Sequence, residues 1–154
     1  MVGVDVAPRM LHEAQRRRRA ARLPGAWISW LRADAAHLPL QDGSLDACTG
    51  HSFLYLVRNR AAVLAEVRRV LRPNGRLVLM EPNNRPASLS QMLEPSRDPR
   101  HIVSVSLWRP FSRLHGRFTT VTLTTTLERA GFVVREAEET FGGLGVLAWA
   151  EAPG

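Results

Sequence analysis

Apolar positions along the chain switch between strand-like runs and helical spacing. Residues 2–6, Val-Gly-Val-Asp-Val, form a short apolar run carrying a carboxylate and predict a buried parallel strand. From 8 to 22, Met10, Leu11, Ala14 and Ala21 recur at helical spacing. Pro8 suits the first turn of that helix, and Pro24-Gly25 ends it. Residues 27–32 read as a strand from content and lead to Asp34. Residues 36–43 form a connection with Pro39 and an Asp42-Gly43 turn signal, and 45–49 form a strand ending at Gly50. The helix over 60–72 places Val63, Leu64, Val67, Val70 and Leu71 on one face. Arg60, Glu66, Arg68, Arg69 and Arg72 lie mostly outside it. Pro73-Asn74-Gly75 stops the helix, and residues 77–80, Leu-Val-Leu-Met, form an apolar strand followed by Glu81.

From 82 to 118 the periodicity breaks. Pro82, Pro86, Pro95 and Asp98-Pro99 predict a loop-rich segment with at most one short helix near 87–94, and Trp108, Phe111 and Phe118 give it aromatic surface. Residues 83–118 therefore read as a cover over the sheet edge or as a substrate segment. Thr125 with Glu128 suggests a capping box for a short helix that runs to Ala130 and stops at Gly131. Strands over 132–140 and 145–150, joined through Phe141-Gly142-Gly143-Leu144, predict an antiparallel hairpin. The order gives an α/β fold: a doubly wound, mainly parallel sheet finished by a C-terminal antiparallel hairpin. Asp5, Asp34 and Glu81 all fall at carboxyl ends of strands, the edge where such sheets bind ligands.

Composition narrows this picture. A chain of 154 residues, 45% hydrophobic, fits one domain over 1–154 with a real core. Cys48 is the single cysteine, so an internal disulfide framework is excluded, and it reads as core. No apolar run is long enough to span a membrane and no secretory signal pattern is present, which fits a cytoplasmic protein. The net charge is +7, and all 21 basic residues other than histidine are arginine. Arg9, Arg16, Arg17, Arg18, Arg19 and Arg22 crowd the first helix. A phosphate-binding patch and a solvated helix face both account for them, but no aromatic residues interleave. The five histidines, at 12, 37, 51, 101 and 115, show no metal-ligand spacing.

Four segments in order resemble class I S-adenosylmethionine-dependent methyltransferases. Residues 2–11 resemble the second-strand motif. Residues 33–46, Ala-Asp-Ala-Ala-His-Leu-Pro-Leu-Gln-Asp-Gly-Ser-Leu-Asp, resemble the stretch that closes over adenine. Residues 69–82 are similar to the helix, turn and fifth strand, and 127–132 to the last helix and sixth strand. The likeness is greatest to the subgroup that methylates small molecules, including quinone precursors. It implies a Rossmann-like fold, S-adenosylmethionine as cofactor and a small-molecule methyl acceptor.

The resemblance also implies roles. Asp5 would accept from the ribose hydroxyls, Val6 and Met10 would pack on the adenine, and Asp34 with the Ala35 N–H would read the adenine edge. Thr49 and Gly50 would line the methionine moiety, and His51 would follow at the rim as a base. Plain alternatives stand beside these. Met10 lies on its helix's apolar stripe, Asp34 and Asp5 could serve strand ends, and Asp42 and Asp46 suit turns and strand caps. His101, His115 and Glu81 are further base candidates, Glu81 also being suited to orient a loop. Methyl transfer from a sulfonium needs position, desolvation and, for a hydroxyl or amine acceptor, proton removal.

The family's glycine-rich first loop has no counterpart in residues 1–154. The resemblance therefore implies a domain truncated at its N-terminus, without a central strand between 2–6 and 45–49. Met1 stands where the family pattern accepts valine, so a start inside a longer gene is one expectation and a gene relic another. Exposed strand edges then predict self-association. Two other readings remain open: a non-catalytic fragment serving as an assembly partner, and a nicotinamide oxidoreductase, which shares the ribose acid. Nucleic-acid methylation is disfavoured, because Thr49-Gly-His-Ser-Phe53 does not carry the Asn/Asp-Pro-Pro-Tyr/Phe signature of many amino-methylating enzymes.

Overall fold

In the computed structural model the first apolar run forms strand β1 (Val2–Asp5), which pairs in parallel with β2 (Ser29–Arg32) and sets Asp5 opposite Arg32. Residues 1–21, 27–86, 103, 107 and 110–154 are described. Helix α1 (Pro8–Ala20) joins the two strands, with Pro8 in its first turn. Gly3 is required by close approach, because a Cβ there would lie 2.6 Å from the Trp30 ring. The strand was expected to be buried, yet Val2, Val4 and Val6 are exposed. The reason is topological: among the described residues β1 pairs with β2 alone, and the pair forms a sheet of its own. In α1 only Leu11 of the predicted stripe is buried, while Arg16 and Arg17 both bind Glu13 at 2.8 Å.

The second sheet has the order β3-β4-β6-β5. Strand β3 (Leu45–His51) runs parallel to β4 (Leu71–Pro82), with α2 (Arg60–Val70) between them in sequence. Strand β6 (Gly145–Glu151) lies antiparallel to both β4 and β5 (Val133–Thr140). The fold is Rossmann-like α/β. The mainly parallel single sheet expected from the sequence is replaced by two sheets, and the larger is mostly antiparallel because the terminal hairpin docks directly on β4. Pro73-Asn74-Gly75 does stop α2. The chain then loops within β4, Asn74 taking φ 59°, before the ladder resumes at Arg76 opposite Ala47.

Helix α3 (Thr120–Arg129) packs on this hairpin. Its capping box is Thr119 with Thr122, each hydroxyl accepting from the other's backbone N–H at 3.1 and 2.7 Å. The box expected at Thr125 and Glu128 falls inside the helix instead, because a threonine hydroxyl serves here in place of the glutamate. Gly131, at φ +84°, closes the helix, and Phe141, Gly142 and Gly143 turn the hairpin with positive φ. Leu54, Leu64, Leu77, Leu79, Leu127 and Val146 are among the fully buried side chains of the core.

The segment 82–118 departs from its prediction where it is described. Residues 110–115 are helical, and the short helix expected near 87–94 lies outside the described residues, as does Trp108. Phe118 is core rather than contact surface: it is 2% exposed, beneath the Arg60 guanidinium at 4.7 Å.

Candidate functional site

The two acids at the ends of β1 and β2 share one local geometry. Asp5 Oδ1 accepts from the Ala7 N–H at 2.8 Å, and Asp34 Oδ1 accepts from the Ala36 N–H at 2.9 Å. Each is an Asx-type turn in which the side chain bonds the backbone two residues on. The second oxygen of Asp5 has no hydrogen-bond partner among the described residues; that of Asp34 faces His37 Nδ1 at 3.8 Å on an exposed surface. Ala33 N–H donates to the Asp5 carbonyl at 3.3 Å, which carries the strand pairing up to Asp34. Val6, next to Asp5 in the chain, and Met10, in the first turn of α1, are 64% and 57% exposed.

The loop after Asp34 is held from α2. Glu66 Oε1 accepts from the Leu38 N–H at 2.7 Å, while Arg69 donates to the Leu38 and Leu40 carbonyls at 3.0 Å each and pairs with Asp42 and Glu66. Hydrogen bonds from Arg69 pull the Glu66 carboxyl down to about 2, against the effect of burial, and raise the Arg69 guanidinium in turn. In the sequence both residues lie mostly outside the apolar face of α2, and this role is not visible in that pattern. The signal available was an opposite-charge i, i+3 pair on the helix that follows a proline-bearing loop.

Thr49, Gly50 and His51 end β3. Gly50 is constrained by packing, since a Cβ would come within 2.8 Å of both the Phe53 ring and Leu79 Cδ2. Ser52 follows at φ 51°, a left-handed position uncommon for a serine, and its N–H is held by the Met80 carbonyl at 2.7 Å. That bend aims three successive N–H groups at the buried Glu81. Oε1 accepts from Phe53 and Leu54 at 3.2 and 2.9 Å, and Oε2 accepts from Tyr55 at 3.2 Å. Arg60 donates to the Leu54 and Tyr55 carbonyls at 3.1 and 3.4 Å. Burial raises the Glu81 carboxyl above its ordinary value, with the three N–H donors and Arg60 opposing it. Of its two expected roles, Glu81 therefore performs loop orientation. Cys48 packs half-buried against the core, and burial raises its thiol to about 11.

The predicted site residues thus fall into two groups. Asp5, Val6, Met10, Asp34 and Ala35 gather around β1 and β2, while Thr49, Gly50 and the exposed His51 stand on β3 in the other sheet, with no ladder bonds between the groups. His115 lies apart, its ring 4.3 Å from that of Phe111, and His101 is outside the described residues. Among the described residues no cluster of His, Cys, Asp or Glu could hold a metal ion. A groove of about 380 Å³ lies elsewhere, between α3 and β5.

Comparison with known proteins adds to this geometry. The family described as "Methyltransferase domain" matches residues 1–79. The demethylmenaquinone methyltransferase of Thermus thermophilus is 44% identical over 84 residues, covering 53% of this chain and 36% of that protein. The corresponding protein of Beutenbergia cavernae is 33% identical over 130 residues, 84% of this chain and 42% of that one. The chain thus spans less than half the length of these curated relatives. A solved S-adenosylmethionine-dependent methyltransferase from Aquifex aeolicus shares the fold, with a TM-score of 0.71 at 17% identity, covering 98% of this chain and 68% of that one.

Proposed function

We propose, for a chain that belongs to the methyltransferase domain family and whose cofactor is S-adenosylmethionine, that it moves the cofactor's methyl group to a small-molecule acceptor. The observation that carries the reading is the matched pair of Asx turns at Asp5 and Asp34. In each, one carboxylate oxygen takes a backbone N–H; the other has no hydrogen-bond partner among the described residues at Asp5 and lies 3.8 Å from His37 Nδ1 at Asp34. This suits an adenosine. The free oxygen of Asp5 would accept from the ribose hydroxyls, and a carboxylate accepts from such donors without a competing N–H. Val6 and Met10 would cover the ring, Asp34 would accept from its amino group, and the Ala35 N–H would donate to a ring nitrogen. The Glu66–Arg69 pair would hold the Asp34 loop in register.

The bound cofactor supplies an activated methyl group on a sulfonium. Thr49 and Gly50 would line the approach to it. His51 would take a proton from a hydroxyl or amine acceptor and has little to do where the acceptor is a ring carbon. The similarity to demethylmenaquinone methyltransferases supports a small acceptor.

We further propose that a central strand lies between β1 and β3 in the assembled protein. Both strands present an unpaired edge among the described residues, and a parallel sheet buries such edges. A strand there, from further residues of the protein or from another chain, would join the two sheets. The loop at its carboxyl end would supply donors for the methionine carboxylate. Self-association would be the outcome where that strand is not supplied.

Titration calorimetry of S-adenosylmethionine into the full gene product tests the reading. Binding that Asp5→Ala weakens by about 1.5–3 kcal/mol supports it, that being the worth of a hydrogen bond to a charged acceptor. Binding of NAD in its place would favour the oxidoreductase reading. Binding of neither would leave a fold serving assembly alone.

A further inference from the structure

Strand β4 ends as β1 and β2 do. Asn83 follows its last residue, Pro82, and Asn83 Oδ1 accepts from the Arg85 N–H at 3.1 Å. This is the turn of Asp5 and Asp34 made again at a strand's carboxyl end. The chemistry of the second side-chain atom is reversed. At the two aspartates it is an oxygen, which accepts; at Asn83 it is Nδ2, which donates. A flipped amide would set its NH2 against the Arg85 N–H, donor against donor, so this hydrogen bond fixes which atom is left over.

Asn83 is 1% exposed, and Nδ2 has no hydrogen-bond partner among the described residues. Among those residues it is the one buried side-chain polar atom in that state. Buried polar groups are almost always paired, because an unmade bond gives up hydration for nothing. The backbone gives this one no freedom to seek a partner. The Asn83 N–H donates to the Leu144 carbonyl at 2.9 Å, the Asn84 N–H to the Phe118 carbonyl at 2.7 Å, and the Phe118 N–H to the Pro82 carbonyl at 2.9 Å. Arg85 pairs with Glu139 on β5 at 2.9 Å. The donor is held in place before any ligand arrives, which is what a binding group requires.

Its place in the sheet indicates the ligand. Asn83 lies just beyond Met80, which stands opposite His51 at the end of β3. Ligands meet such sheets at the carboxyl ends of their strands. In the functional reading above, the donor groups of adenosine meet acceptors at the ends of β1 and β2. A donor on the strand next to His51 is complementary to an acceptor atom, and so to the other substrate. We propose that Asn83 binds the methyl acceptor, Nδ2 donating to a hydroxyl or carbonyl oxygen of that molecule. The inference rests on the methyl-transfer reading and adds a substrate class to it: a small molecule bearing an oxygen that meets the sheet edge at β3 and β4.

Nuclear magnetic resonance of the full gene product with S-adenosylhomocysteine, which has no methyl group to transfer, tests this. The probe is 1,4-dihydroxynaphthalene, an oxygenated ring of the quinone type named for the relatives, and naphthalene is its control. The assigned side-chain NH2 protons of Asn83 should move downfield with the first and stay in place with the second. Asn83→Ala and Asn83→Asp should each bind the dihydroxy probe about tenfold more weakly, with cofactor affinity within about twofold of the parent. Should either variant fail to fold, the parent spectra decide alone. An unmoved NH2, an equal shift with naphthalene, or undiminished probe affinity in the variants would each overturn the proposal. So would a contact to water that the probe leaves unchanged, since the amide would then hold a buried water only. Those results with the cofactor bound would leave the methyl-transfer reading standing. A cofactor that does not bind would remove that reading, and a downfield shift with the dihydroxy probe alone would still support the donor.

Discussion

Glu81 and Arg60 hold one short turn from opposite sides. The carboxylate takes the N–H groups of Phe53, Leu54 and Tyr55, and the guanidinium takes the carbonyls of Leu54 and Tyr55. A turn that follows an exposed strand end would otherwise leave these groups to water. Here they are buried, so their pairing is obligatory. The pair also ties β4 to the start of α2, and Arg60 reaches Phe118 beyond it. The rim that carries His51 is thus fixed by charged groups lying beneath it.

Removing the acid should therefore loosen the turn. Glu81→Ala leaves three N–H groups without an acceptor and should cost about 3 kcal/mol or more, since each such group costs about 1–3 kcal/mol. Glu81→Gln keeps an acceptor oxygen and should cost less. Denaturant unfolding measures both, and hydrogen exchange should accelerate at residues 53–55 in the alanine variant. The pH dependence has a definite sign. The folded-state value is raised, so the Glu81 contribution is full below the ordinary 4.5 and declines as pH rises through the raised value. The stability difference between parent and Glu81→Gln should shift against the parent over that interval.

Glu66 has the opposite sign. Its carboxyl lies near 2, so its contribution is present above 4.5 and lost as pH falls toward 2. Parent stability should drop across this acid interval, and Glu66→Gln should flatten part of the drop. Arg69→Ala should leave the Leu38 and Leu40 carbonyls and both acids without their donor and should loosen the loop. Exchange protection at Leu38 N–H reports the loop directly.

Gly50→Ala is expected to destabilise the protein by about 1–3 kcal/mol through overpacking against Phe53 and Leu79. The companion Phe53→Ala opens that space. In a double-mutant cycle the two should therefore couple, the alanine at 50 costing less once the ring is gone. Additive costs would show that Gly50 is needed for another reason.

Binding and chemistry should separate at the candidate site. In a form of the protein that binds cofactor, Asp5→Asn should weaken binding less than Asp5→Ala, because one oxygen acceptor remains. His51→Ala should lower the single-turnover rate while leaving cofactor affinity within about twofold. Equal rates for His51→Ala and parent would remove the base and leave the binding assignment standing.

Local rules carried α1, α2 and the terminal hairpin, but not the start of α3 or the helical residues 110–115. Apolar spacing located α2, and glycines at 131, 142 and 143 located a helix stop and a hairpin turn that require positive φ. The position of Asp5 and Asp34 at strand ends was also legible, because each closes a short apolar run. What escaped was long-range. The docking of β6 on β4 depends on partners far apart in the chain, such as Arg76 opposite Glu151. The inward role of Glu66 and Arg69 depends on a loop 28 and 31 residues away, which helical periodicity treats as solvent. Glu81 gave a strand-end acid in the sequence, but its three donors are created by the left-handed bend at Ser52, which no pattern of residue types announces.

Cys48 offers a clock for the edge of the sheet at β3. It is the chain's single thiol, it sits on β3, and burial leaves little thiolate at neutral pH. The thiol is half-buried, so a reagent reaches it at a rate set by its small thiolate fraction and by its partial cover. A strand pairing with β3 would slow the clock, whichever chain it came from, and the slowing would be read without any cofactor, substrate or engineered label.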